Sequence, residues 1–117
     1  MANKVNIIFA GDIMLHSDYT RTAMEHGPSF VFEEISPLLK EADFTVGNLE
    51  TVLSEKGDPK RNKLCLRGDV SYIRTLKDTG FSVVSLANNH SFDYGLDAYH
   101  DSLLKIQEAG IDVVGAG

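Results

Sequence analysis

Four short apolar runs punctuate the chain, and each ends in glycine or in a polar side chain. Val5, Ile7, Ile8, Phe9 and Ala10 are β-branched, aromatic or small, and Gly11-Asp12 come directly after them. Near-continuous apolarity of this kind predicts a buried parallel strand rather than an alternating surface strand. Residues 43–49, 81–87 and 111–114 have the same character and predict three more strands. Between them the apolar positions change period. Leu96, Tyr99, Leu103, Ile106 and Ala109 recur at helical spacing, with Gly110 as the stop. Val70, Ile73 and Leu76 do so more briefly, with Asp69 as N-cap and Gly80 as stop. Phe32, Ile35, Leu38 and Leu39 predict a helix that breaks or restarts at Pro37, because an interior proline removes a hydrogen bond. Strands alternating with helices imply βαβ units. The fold class expected is α/β, a mostly parallel sheet with flanking helices. Residues 54–67 interrupt this rhythm with Gly57, Pro59 and several basic side chains, and read as a long exposed loop of the functional or mobile kind.

Composition narrows the picture without deciding it. The chain has 117 residues and 43% hydrophobic residues, enough for one domain with a core. A formal net charge of −6 argues against a nucleic-acid-binding surface, which needs a basic face. The single cysteine, Cys65, rules out an internal disulfide and reads as a half-buried small hydrophobe rather than a nucleophile. No stretch reaches the 18 or so apolar residues of a membrane span. The run after Lys4 is too short for a signal-peptide core. The chain is therefore expected to be soluble as it stands, and associated with the cell envelope where a longer form carries an anchor.

In open α/β sheets ligands bind outside the carboxyl ends of the strands. The first strand runs there into Gly11-Asp12, the second ends in Gly47-Asn48-Leu49-Glu50, and the third in Asn88-Asn89-His90 and then Asp93-Tyr94-Gly95. Each motif alone has a plain structural reading as a turn, a cap or a solvated acid. Together they bring carboxylate, amide and imidazole groups to one edge of a sheet, a donor set suited to Mg, Mn, Fe or Zn.

Gly11-Asp12-Ile13-Met14-Leu15, Gly47-Asn48-Leu49-Glu50 and the stretch from Ala87 to Gly95 resemble, in order and spacing, the three leading motifs of the bacterial capsule-synthesis family (CapA-like, poly-γ-glutamate). The ending from Ala109 to Gly117 resembles that family too. The family is similar in fold to the calcineurin-like metallophosphoesterases. The resemblance implies that residues 1–117 are the N-terminal half of an α/β/β/α sandwich with a two-metal site. It implies Asp12, Glu50 and Asn89 as metal ligands and His90 as general acid or as holder of a tetrahedral oxygen. Asn48 and Asp93 would orient those ligands. The implied function is a part in capsule or poly-γ-glutamate biosynthesis, on a phosphate ester or an anionic polymer. The alternative is a non-catalytic structural or polymer-binding module of a capsule-assembly complex. Two departures stand out. Met14 occupies the place where the phosphoesterases have a histidine, and His16 is a poor substitute on strand parity. The family also continues past Gly117, so the ligand set is expected to be incomplete and metal affinity weak. A sheet surface left uncovered by half a sandwich is expected to drive homo-oligomer formation.

Other signals carry less. Gly115-Ala116-Gly117 resembles the opening of a dinucleotide fingerprint. Asp69 of Arg67-Gly68-Asp69 is better explained as a helix cap. Lys56, Lys60, Arg61, Lys63 and Arg67 form a basic cluster that reads as a solvated loop or as a contact for an anionic polymer. His26 and His100 read as surface residues.

Overall fold

The four expected strands form, and the computed structural model describes them within residues 3–116. They are β1 (Ile7–Ile13), β2 (Phe44–Leu49), β3 (Val83–Ser85) and β4 (Asp112–Val114). All pair in parallel, in the order β1-β2-β3-β4. Four helices connect them: α1 (Asp18–His26), α2 (Ser36–Glu41), α3 (Tyr72–Thr79) and α4 (Leu96–Glu108), with a 3-10 turn at Phe30–Phe32. The helix expected around Pro37 is broken as anticipated. The 3-10 turn comes first, and α2 restarts with Pro37 in its first turn, where a missing N–H costs nothing. α3 ends at Gly80, whose φ of 119° only glycine adopts freely. Asp69 acts three residues before α3, accepting the Ser71 N–H at 2.8 Å. α1 carries no buried residue, so the hydrophobic period that would have announced it is absent.

Strand order explains where the core lies. Crossovers between parallel strands are right-handed. When each strand is added on the same side of the last, every connecting helix falls on the same face of the sheet. The core accordingly gathers Leu39, Ile73, Leu76, Tyr99 and Ile106 from the helices against Ile13, Leu49 and Val84 from the strands. The register places Ile8, Thr45, Gly47, Val84 and Val113 on this face. A Cβ on Gly47 would collide with the Ile13 side chain, which lies across it.

Among the described residues the opposite face has no helix layer. Many of its side chains are apolar all the same: Phe9 is 77% exposed, Ile7 and Val114 48%, and Phe44 45%, with Val46 and Val83 between them and the polar Ser85 and Asp112 at the β3–β4 side. This corrects the reading of the first apolar run as a buried strand. β1 is an edge strand whose outer residues face away from the core. Apolarity on both faces remains the mark of a strand meant to be covered twice.

β1 also breaks step with β2. Phe9 pairs with Val46 and Asp12 with Asn48, so three residue steps on β1 match two on β2. This bulge at Ala10-Gly11 switches the strand's parity. Ile8 faces the core before it and Ile13 after it, while Asp12 comes to lie beside Asn48 on the uncovered face.

Substitutions on the two faces should behave differently. Leu76→Ala, in the closed core, is expected to lower unfolding free energy by about 2–5 kcal/mol, read from urea denaturation. Self-association is tested on the uncovered face. Sedimentation equilibrium at micromolar concentration is expected to show dimers or larger species, and Phe9→Lys to shift them to monomer.

Candidate functional site

The carboxyl ends of β1, β2 and β3 meet through side-chain amides. Asn48 Nδ2 donates to Asp12 Oδ1 at 2.9 Å and reaches Glu50 Oε1 at 3.4 Å. Asn48 Oδ1 accepts from Asn88 Nδ2 at 3.1 Å, and the same nitrogen donates to the Leu49 carbonyl at 2.8 Å. Asn88 Oδ1 in turn accepts the His90 N–H at 3.0 Å. The direction of this chain is forced at both ends. Ionised carboxylates only accept and a backbone N–H only donates, so each amide in between has one orientation. Asp12 is exposed, and Asn48, Glu50 and Asn88 are half-buried. The Asn48 NH2 group thus stands between two carboxylates.

A second cluster is organised around Asp93, which is 0% exposed. Its Oδ2 accepts the Leu66 N–H at 2.8 Å and lies 2.7 Å from His90 Nδ1, and its Oδ1 pairs with the Lys63 ammonium. Burial alone would raise the carboxyl pKa. Lys63, the Leu66 N–H and His90 together outweigh it and hold Asp93 below the usual carboxylate range. Beside an ionised Asp93 the Nδ1 of His90 carries a proton, so Nε2 is the outward nitrogen: an acceptor in the neutral ring, and a donor only when the ring carries a second proton.

Lys63 and Leu66 belong to the 54–67 loop, so Asp93 also fastens that loop. Lys60 N–H donates to the Asp93 carbonyl at 2.9 Å, and Lys63 donates to the Asn89 carbonyl. The Arg67 guanidinium stacks on Tyr94, 3.6 Å from the ring centroid. A Cβ on Gly57 would strike the Tyr94 carbonyl oxygen, so the loop reaches this close only with glycine there. Ser54 Oγ donates to Asp101 of α4 at 2.5 Å. The loop expected to be long and exposed is a strap tied to the His90–Tyr94 turn and to α4. Most of the basic cluster is used in tying it: Lys56 pairs with Asp101 at 3.7 Å, and Lys60 lies over Phe92.

The remaining singled-out residues fall in different places. Asn89 is exposed, and among the described residues its side chain makes no hydrogen bond to Asp12, Asn48 or Glu50. Asn88 is the amide joined to them. His16 Nδ1 lies 3.0 Å from the Arg67 carbonyl, tied to the strap rather than to Asp12. His26 and His100 are exposed. Cys65 is half-buried, its Sγ facing the carbonyls of Lys60, Lys63 and Asp93 at 3.5–3.6 Å. Gly117 of the glycine-rich ending lies outside the described residues. Among the described residues no helix is long and apolar enough to cross a membrane.

The family model for the bacterial capsule synthesis protein PGA_cap matches residues 6–117. The chain belongs to the bacterial capsule synthesis (PGA_cap) family. It is 33% identical to the capsule biosynthesis protein CapA of Bacillus anthracis, over 97% of this chain and 29% of that protein. It is 30% identical to the PGA biosynthesis protein CapA of Bacillus subtilis, over 93% of this chain and 29% of that protein. A probable polyglutamine synthesis accessory protein of Mycobacterium tuberculosis is 34% identical over 64% of this chain and 20% of its own length. The chain thus spans under a third of the length of these PGA_cap relatives.

Sequence reasoning missed Asn88 and Lys63. Asn88 was one of two adjacent amides, and only the turn after β3 decides which faces β2. Lys63 was one of five basic residues in a loop, and nothing in the spacing says which turns inward. Asp93→Ala is expected to lower unfolding free energy by about 3 kcal/mol near neutral pH, because it strands Lys63 and the Leu66 N–H. Asp93 has a folded pKa below the ordinary 3.8, so its contribution is present above that value and is lost as pH falls through the folded pKa. Urea midpoints of the wild type and Asp93→Ala should therefore converge as pH is lowered below 3.8.

Proposed function

We propose that this chain forms the leading part of a metal-dependent, phosphoesterase-like domain that serves capsule or poly-γ-glutamate biosynthesis. The observation that carries the reading is the convergence of Asp12 and Glu50 on one amide group at the carboxyl edge of the sheet. Two carboxylates that need a positive partner fit a hard divalent cation such as Mg or Mn, which keeps water among its ligands. Asp12 and Glu50 would hold it, with the amide oxygen of Asn89 turned towards it. When bound, such an ion would polarise a phosphoryl or carbonyl oxygen and lower the pKa of a bound water. The chain's own groups supply the rest. Asn48 holds the two carboxylates in one orientation. Asp93 orients His90 so that Nε2 is the outward nitrogen, which in the doubly protonated ring could protonate a leaving oxygen or hold an anionic one. Lys63 balances the Asp93 charge and ties down the Asn89 carbonyl.

A second reading is a non-catalytic module that binds an anionic polymer. One observation favours it: among the described residues no group of three or more His, Cys, Asp or Glu side chains is placed to hold a metal ion. Calorimetric titration of Mn²⁺ and Zn²⁺ into the wild type and into Asp12→Ala/Glu50→Ala separates the two. The metal-dependent reading expects binding that the double variant loses while its circular dichroism stays unchanged. Equal binding by both proteins, or none by the wild type, moves the assignment to the polymer-binding module.

A further inference from the structure

The two edges of the sheet are built differently. β4 is three residues long and begins with a charged side chain, Asp112. Short or charged edges resist pairing with another chain. β1, the other edge, pairs only with β2 among the described residues. From Val5 to Gly11 it holds no charge and no proline, and Val5, Asn6, Ile7, Phe9 and Ala10 are all exposed. Its one protecting feature is the bulge at Ala10-Gly11, which leaves residues 7–9 regular.

Asn6 shows which backbone groups of this edge are free. It turns both of its own towards β2. Its carbonyl accepts the Asp43 N–H at 2.9 Å and the Phe44 N–H at 3.3 Å, and its N–H donates to Asp43 Oδ2 at 2.7 Å. In a parallel ladder the residues of one strand alternate in this respect. Ile8 therefore turns its groups to β2 as well. Ile7 and Phe9 turn theirs outward, where no strand among the described residues lies. The flanks of the edge are apolar on both sides. Ile7 and Phe9 stand on the bare face. On the helix side a cleft of about 260 Å³ runs beside the strand, with Ile8 and a half-exposed Leu38 in its lining.

We propose that the outer edge of β1 is a self-pairing edge: two copies of this chain join β1 to β1, antiparallel, about a two-fold axis at Ile8, into one continuous sheet. The outward groups set this register. With Ile7 opposite Phe9 of the second copy, and Phe9 opposite its Ile7, both pairs exchange N–H and C=O. Ile8 meets its own mate in the close, non-hydrogen-bonded pair between them. Phe9 and Ile7 become cross-strand neighbours on the bare face, an aromatic and a β-branched side chain that stabilise each other. Charge selects the antiparallel sense. It carries Lys4 of each copy to the Asp12 end of the other, whereas parallel pairing in register would set Lys4 beside Lys4 and Asp12 beside Asp12. The strand is thus its own complement. The pairing needs no metal and stands apart from the reading of the Asp12–Glu50 edge. A stack of two bare faces is the competing arrangement, and it would leave the outward groups of Ile7 and Phe9 unpaired.

Disulfide trapping distinguishes the two, on the 117-residue chain in a Cys65→Ser background. In a non-hydrogen-bonded antiparallel pair the Cα atoms lie about 4.5 Å apart, within disulfide reach. Ile8→Cys is therefore expected to give a disulfide-linked dimer under mild oxidation, read on a non-reducing gel. Asn6→Cys, two residues along the same face, and Val46→Cys, one strand inward on the bare face, lie away from their mates in this register and should run as monomers. Ile7→Pro removes an outward N–H at the first residue of an edge strand, where proline is tolerated. It is expected to abolish the dimer in sedimentation equilibrium with circular dichroism unchanged. Hydrogen exchange on the wild type needs no variant: the Ile7 and Phe9 amides should be protected in the dimer. A wild type that stays monomeric at micromolar concentration, unprotected Ile7 and Phe9 amides in the dimer, or cross-linking through Val46→Cys with none through Ile8→Cys overturns the edge pairing.

Discussion

A carboxylate with no exposed surface must be neutralised where it stands, and the region around the candidate site is arranged to do that for Asp93. Its partners come from two segments, a neighbouring turn and a distant loop. His90 lies three residues before it, and Lys63 and Leu66 arrive from the strap. Satisfying one buried charge thereby joins the strap to the turn after β3. It also sets the His90 ring and decides which imidazole nitrogen is free. The geometry of His90 is a consequence of folding the strap rather than of the strand that delivers it. A loop of this length without such ties would be the most mobile part of the chain.

The second constraint is topological. Strands added in one direction with right-handed crossovers place the helices on one face. Every strand therefore has a helix-covered side and a bare one. Asp12 and Asn48 lie at the carboxyl end of the bare side, beside Phe9, Val46 and Val83. The bulge at Ala10-Gly11 makes this possible for Asp12. Without it, Gly11 would oppose Asn48 and the carboxylate would turn towards the core. One extra residue in an edge strand gives Asp12 its amide partner.

Much of this was legible in the chain. All four strands were visible because each is a compact apolar run closed by glycine or a polar residue, and the two longer core helices because their buried positions repeat every three or four residues. The motifs at the strand ends come to one edge for a simple reason: parallel strands all run the same way, so the residues after each one emerge on the same side of the sheet. The features that were not legible depend on contacts between distant residues. The bulge is a mismatch between two strands, invisible in either alone. α1 presents only Tyr19 and Ala23, both partly buried, to the core. The selection of Asn88 over Asn89 as the amide that meets Asn48, and of Lys63 among five basic residues, comes from how the turn and the strap pack together. Family membership was carried by the motifs themselves, and the match over residues 6–117 agrees with it.

The central claim is that the ends of β1, β2 and β3 act as one cation-responsive site. Paramagnetic relaxation by Mn²⁺, read residue by residue in the amide and side-chain NMR spectrum, addresses this most directly. The expected result at substoichiometric Mn²⁺ is selective broadening centred on Asp12, Asn48 and Glu50, extending to Asn88 and His90 and sparing the acidic positions of the strap, Glu55 and Asp58. Broadening centred on the strap acids, or spread evenly over exposed carboxylates with no focus at the sheet edge, would contradict it.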